Sequence, residues 1–167
     1  MRSSKEKNHL PVYGIGPLLC SPMAMMTAVG IYCSSKGILP GVIENKAINI
    51  ILLVAGVLLI LEGIVLFFAA DLNGALKENI EANKLKTNGS YKYVRNPCYC
   101  LFLLGCTGAV LIAHNVLLFV LPVLFYIEMT VVLIHTEEKW LADLYGQEYA
   151  DYCKRVNRCI PWFPRKQ

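Results

Sequence analysis

Residues 47–70 read AINIILLVAGVLLILEGIVLFFAA, 24 positions with a single charge at Glu62. At about 1.5 Å per residue a helix of this length reaches roughly 36 Å, enough to cross the ~30 Å hydrocarbon layer of a bilayer. The stretch is apolar all round, with no polar face to turn toward water. It is the clearest span in the chain and predicts an all-α, polytopic membrane bundle.

Upstream, Leu10–Ser35 carries no charge over 26 residues, enough to cross with tilt. Pro11, Gly14, Gly16, Pro17 and Pro22 crowd its first half, so regular helix is expected from near Ser21. Residues 1–9 form a short basic flank. The apolar run after them is too long, and lacks the small-residue cleavage site, for a signal peptide. Downstream, Tyr99–Ala113 is a short apolar helix of about 23 Å, and Val116–Ile134 is apolar except at Glu128. His114 and Asn115 break the run between them. These two helices are expected as a tight hairpin with His114 and Asn115 at its tip, and Gly105 and Gly108 permit close helix contact. That makes about four transmembrane helices in a single domain.

Only 17% of the 167 residues are charged, against 56% hydrophobic, below the quarter charged of an ordinary soluble domain. The net charge of +4 reflects topology. Fourteen of the sixteen Lys and Arg lie in the amino-terminal flank, residues 71–98 and the tail from 135, and two lie in the Lys36–Lys46 loop. The hairpin tip has none. This asymmetry puts both termini in the cytoplasm of a multi-pass protein. Aromatic residues alternate with apolar ones instead of with Lys and Arg, which argues against a nucleic-acid partner. Of the seven cysteines, Cys98-x-Cys100 is the only close pair, and no spacing resembles paired zinc knuckles. Neither disulfides nor metal are expected.

Three polar features stand out. Glu62 is a carboxylate in a membrane span, either protonated and bonded to a neighbouring helix or functional. Together with Glu128 it would suit a small proton-coupled transporter. Residues 71–85 (DLNGALKENIEANKL) carry apolar residues at 72, 76 and 80, the stripe of an amphipathic helix lying on the membrane or bundle. Residues 87–99 (TNGSYKYVRNPCY) then form the densest polar cluster. Gly89 supplies a turn, and Pro97 opens the next helix. Tyr91, Tyr93 and Tyr99 offer ring faces and hydroxyls, and Arg95 a fork for a carboxylate or phosphate. An interfacial anchor would use the same residues.

The tail from His135 returns to charge. Trp140, Leu141, Leu144, Tyr145, Tyr149 and Tyr152 recur at three- and four-residue intervals, predicting a helix over about Thr136–Val156 with a break at Gly146. Read as one helix, Glu128 and His135 share a face and Glu137 projects from the opposite one. Pro161 and Pro164 follow its end.

These two blocks resemble the isoprenylcysteine carboxyl methyltransferase family and its bacterial and phospholipid-methylating relatives. The first block is carried by Leu85, Thr87, Gly89, Tyr91, Arg95, Asn96, Pro97 and Tyr99. The second is carried by Glu137, Glu138, Leu141, Tyr145, Gly146, Tyr149, Tyr152 and Val156, then Arg158 and Pro161. Order and spacing are kept across the apolar hairpin, over about residues 72–163. The resemblance implies an S-adenosylmethionine-dependent methyltransferase acting on a lipophilic or prenylated acceptor. It divides the chain into membrane helices over 1–70 and a cytosolic-facing cofactor-binding and catalytic part over 71–167. Carried over position by position, Lys84, Leu85, Lys86, Tyr91, Asn96, Pro97, Cys98, Tyr99 and Glu137 would contact S-adenosylmethionine or S-adenosylhomocysteine, with Arg95 and Glu137 as catalytic residues. Arg95 or Lys86 would suit the cofactor carboxylate and Glu137 its ammonium. The chain departs from the pattern at Asn96, where the family has histidine, and at Leu133, where the prenylcysteine enzymes have arginine. An acceptor that needs a base would then use His135 or Glu128.

Overall fold

The computed structural model describes residues 15–70 and 84–164. The amphipathic helix expected over 71–85 therefore falls almost wholly outside the described residues, as does the part before residue 15 of the irregular stretch expected up to Ser21. Among those described, the chain is all-helical: α1 (Gly16–Ser35), α2 (Lys46–Ala70), α3 (Pro97–Ile112), α4 (Val120–His135), α5 (Glu137–Tyr145) and α6 (Gln147–Arg155), with 3-10 turns at Gly89–Lys92 and Val116–Phe119. Three helical stretches are long and apolar enough to cross a membrane, namely Gly16–Ser35, Lys46–Ala70 and Val116–Tyr145. Pro97–Ile112 is a shorter apolar helix.

Helix α1 begins five residues before the expected Ser21. Pro17 falls in its first turn, where the missing N–H would have had no helical partner. Pro22 lies inside the helix and leaves only the carbonyl of Leu18 without its bond.

Helix α2 buries only Gly56, Gly63 and Ala70. These small residues recur every seven positions, two turns apart on one face, and α3 packs most extensively against that face. A Cβ on Gly56 would stand 2.6 Å from the Gly108 carbonyl oxygen, and one on Gly108 would stand 2.5 Å from that of Gly56. Backbone meets backbone there, the contact that small residues permit in membrane helices. The expected pairing of Gly105 and Gly108 is half right, since a Cβ on Gly105 meets nothing within 4 Å. The principal partner of α3 is thus α2, ahead of α4, its neighbour across the hairpin. The other faces of α2 are exposed, with Ile51, Leu58, Val65 and Phe68 all more than half accessible, as a lipid-facing helix requires. Glu62 is on the exposed side too and makes no hydrogen bond among the described residues. The expectation of a glutamate bonded to a neighbouring helix does not hold.

The hairpin tip is stitched to the loop between α1 and α2. Asn115 is fully buried; its Nδ2 donates to Ser34 Oγ at 2.9 Å and its Oδ1 accepts from Leu117 N at 2.9 Å. Ile43 N donates to the His114 carbonyl, and Val116 N to that of Gly41. The two regions poorest in Lys and Arg therefore sit at one end of the bundle. The core joins Leu19 and Met23 of α1, Leu103 and Cys106 of α3, and Phe125, Met129 and Leu133 of α4, with Cys159 from the tail. Leu133 is a fully buried core residue.

Helix α4 stops at His135 because Thr136 leaves helical geometry (φ −122°, ψ −92°). Glu128 and His135 both lie within α4, so their shared face stands, but the relation of Glu137 to them drawn from one continuous helix fails, since the kink resets the register. Gly146, at φ 54°, turns the chain between α5 and α6 as expected.

Candidate functional site at the opposite end of the bundle

The polar cluster around Arg95 and the carboxyl-terminal tail meet at the other end of the bundle. Gly89, at φ 61°, turns the chain beside the end of α2, where Ser90 Oγ donates to the Leu66 carbonyl at 2.8 Å. Residues 93–96 then link the 3-10 turn to α3, and Pro97 keeps Asn96 (φ −126°, ψ 66°) out of helical geometry. Their backbone pairs with the tail. Arg95 N donates to the Asn157 carbonyl at 2.9 Å, Asn96 N to that of Arg158 at 3.2 Å, and Trp162 N to that of Tyr93 at 3.1 Å. Val94 and Asn157 form a parallel bridge. Side chains reinforce the seam: Tyr152 Oη donates to the Tyr91 carbonyl at 2.6 Å, Asn96 Nδ2 to that of Arg158 at 3.2 Å, and Cys100 Sγ to that of Cys159 at 2.8 Å.

The acidic pair opens α5, and its two carboxylates point to different partners. Consecutive helix residues are turned by about 100°, so one faces the tail and the other the membrane helices. Glu138 takes a bidentate grip on Arg158 (Nε to Oε1 2.8 Å, Nη2 to Oε2 2.9 Å) and also pairs with Arg95 Nη2 at 2.9 Å. The Glu138 hydrogen bonds hold the Arg158 proton more tightly than usual. The side chains of Arg95 and Glu138 are 8% and 10% exposed, so this triad is largely shielded from screening. Two polar atoms beside it, Arg95 Nε and Tyr149 Oη, are buried with no partner among the described residues. Burial, then the Glu138 charge, pushes the Tyr149 hydroxyl well above its ordinary range.

Glu137 turns the other way. Its Oε1 accepts from Ile15 N at 3.1 Å and from Tyr99 Oη, tying the start of α1 to the first turn of α3. Both of its hydrogen bonds among the described residues fall on Oε1.

All the residues expected to form the site lie at this end, though not all face one another. Arg95 pairs with Glu138 and not with Glu137. Lys86 Nζ donates to the Ala70 carbonyl at 2.6 Å and lies 5.4 Å from the Tyr91 ring centroid. Leu85 packs with Tyr149, Tyr152 and Val156, Pro97 and Tyr99 are buried, Cys98 is half-buried and Lys84 is exposed. Asn96 is buried at the seam. His135 is exposed, with its Nδ1 on the Val131 carbonyl at 2.7 Å. Reading the sequence missed three partners: Arg158 as the principal ligand of Glu138, the α1 amide on Glu137, and the Cys159 carbonyl on Cys100. Only the first left a trace, two arginines available to two glutamates.

Comparison with known proteins gives a consistent picture. The chain is 38% identical over 79 residues to methanethiol S-methyltransferase 1 of Bradyrhizobium diazoefficiens, covering 47% of this chain and 27% of that protein. It is 35% identical over 83 residues to protein-S-isoprenylcysteine O-methyltransferase of Schizosaccharomyces pombe, covering 48% of this chain and 34% of that one. The similarity thus spans about a third or less of each relative's length. No solved structure matches the chain. The profile of the phospholipid methyltransferase family matches residues 46–148, from the first residue of α2 to the opening of α6. That stretch is well over half the chain and contains both carboxylates, Arg95 and the α2–α3 contact, so the chain belongs to the phospholipid methyltransferase (PEMT) family.

Proposed function

We propose that the protein is an S-adenosylmethionine-dependent methyltransferase acting on a lipophilic acceptor drawn from the bilayer, with both termini in the cytoplasm. The observation that carries this reading is the seam between residues 93–96 and 157–162. It sets a polar junction, rich in tyrosine and charge, over the end of an apolar bundle. Membership of a methyltransferase family supports a methyl donor, and the residues present fit this one. Glu137, half-buried with Oε2 unengaged, suits the donor's ammonium. The unpartnered Arg95 Nε suits its carboxylate, and the Tyr91 and Tyr99 rings suit its adenine or sulfonium. When bound, S-adenosylmethionine supplies an electrophilic methyl group on a sulfonium.

The chain's own contribution is to hold and to exclude. Glu138, gripped by two arginines, pins the tail over the junction, and Glu137 anchors the starts of α1 and α3 around it. A site closed in this way keeps reacting atoms aligned and water out. Asn96, donating into the seam, acts as a fixed amide and not as a base. This suits an acceptor already ionised at neutral pH, such as a carboxylate with a pKa of about 3.5. Carboxylates of prenylated-cysteine type rank first as acceptors, then phospholipid amines and other small apolar molecules. One relative is named for isoprenylcysteine and the other for methanethiol, so similarity of this degree is compatible with more than one acceptor. The transporter alternative calls for a carboxylate turned into the bundle; Glu62 faces outward and Glu128 is only half-buried, and membership of a methyltransferase family favours the enzyme.

Titration calorimetry of the detergent-solubilised protein with S-adenosylhomocysteine tests this. Wild type should bind, and Glu137→Gln, whose amide oxygen can still accept from Ile15 N and Tyr99 Oη, should lose affinity while keeping its melting temperature. Unchanged affinity in that variant would refute the role of Glu137. No binding to wild type, together with no transfer of radiolabelled methyl groups into a lipid extract, would refute the function.

A further inference from the structure

The end of the tail carries an apolar group that the proposed chemistry does not use. Ile160, Trp162 and Phe163 are 50%, 66% and 76% exposed, yet their chain is held in place. Trp162 N is bonded to the Tyr93 carbonyl. The Phe163 ring stands edge-on to Tyr93 with centroids 6.1 Å apart, and Lys92 Nζ lies 5.9 Å from the Tyr93 ring centroid.

The level of this cluster relative to the bundle is set by two contacts. The Cys159 carbonyl receives the Cys100 thiol, one turn inside α3, and Ser90, whose carbonyl accepts from Tyr93 N, donates to the carbonyl of Leu66 near the end of α2. The cluster is therefore level with the ends of two apolar helices, where headgroups meet acyl chains. Tryptophan and tyrosine favour that layer, with rings in the acyl region and polar edges in the headgroups. A lysine beside them can extend its ammonium to lipid phosphates.

We propose that Ile160, Trp162 and Phe163, with Tyr93, form a wedge inserted into the headgroup–acyl boundary of the leaflet beside the site, with Lys92 directed at lipid phosphate. Trp162 is paired through its backbone to Tyr93, so insertion fastens the tail and the segment it covers to the same leaflet. The wedge is independent of the methyl-transfer reading and stands or falls separately.

The chain has two tryptophans, so Trp140→Phe leaves Trp162 as the sole reporter. In nanodiscs containing lipids brominated near the top of the acyl chain, Trp162 should emit at short wavelength and lose most of its intensity. Aqueous iodide should have little effect. Quenching by iodide with no response to bromolipid would overturn the proposal by placing the ring in water. Protection from both quenchers that disappears on dilution would also overturn it, by showing the patch covered by a second copy. Should Trp140→Phe fail to fold, the difference spectrum between wild type and Trp162→Phe reports on the same ring.

Discussion

Glu137 and Glu138 are adjacent in sequence and divide two tasks because a helix turns them apart. Removing Glu138 strands two guanidinium groups that are partly or largely buried. Glu138→Ala is expected to cost about 3–5 kcal/mol, the usual penalty for breaking a buried ion pair from one side. Arg95→Ala leaves the bidentate Glu138–Arg158 pair intact and should cost less, about 1–3 kcal/mol. Thermal melts in detergent give the order, and a larger loss for Arg95→Ala would show that the triad is centred elsewhere. Cys159 supplies a pH prediction. Burial lifts its thiol from the ordinary 9.0 to about 12. Above pH 9 the unfolded chain therefore gives up a proton that the folded chain keeps. Its contribution to stability is complete below that point and declines as pH rises toward 12. The stability gap between wild type and Cys159→Ala should narrow across that range in pH-dependent melts, and a constant gap would contradict the burial.

At the scale of elements, the α2–α3 contact is the most sensitive to side-chain size. Gly108→Leu would drive a side chain into the Gly56 backbone, which cannot yield as a flexible side chain would. It should cost at least the 1–3 kcal/mol typical of overpacking and lower the yield of folded protein. Gly105→Leu, three residues away and facing open space, is the matched control and should be near neutral. Equal effects from the two would mean that α3 is rotated relative to α2. The hairpin tip makes a second case. Asn115→Leu leaves the Leu117 amide and Ser34 hydroxyl without their partner, with an expected cost of about 1–3 kcal/mol for each buried group left unpaired. Circular-dichroism melts would measure it.

For the molecule as a whole, much was readable from residue order because it rests on local properties. Hydropathy marks residues 47–70 and 116–134 as spans whatever they pack against, since a bilayer selects on composition and length. Gly146 and Pro97 impose their breaks by backbone sterics alone, and the spacing of Tyr145, Tyr149 and Tyr152 puts them on one side of the tail. The grouping of the polar cluster with the tail was also foreseeable, because two separated blocks at family spacing imply a shared site. Tertiary structure alone decided the rest. It moved the start of α1 to Gly16, made α2 the main partner of α3, turned Glu62 outward, and joined Arg95 and Arg158 to Glu138. Each of these outcomes depends on which of several compatible neighbours, tens of residues away, arrives at a given face. A non-helical Thr136 is enough to redirect every side chain that follows it, and periodicity read along one continuous helix carries no information about that turn.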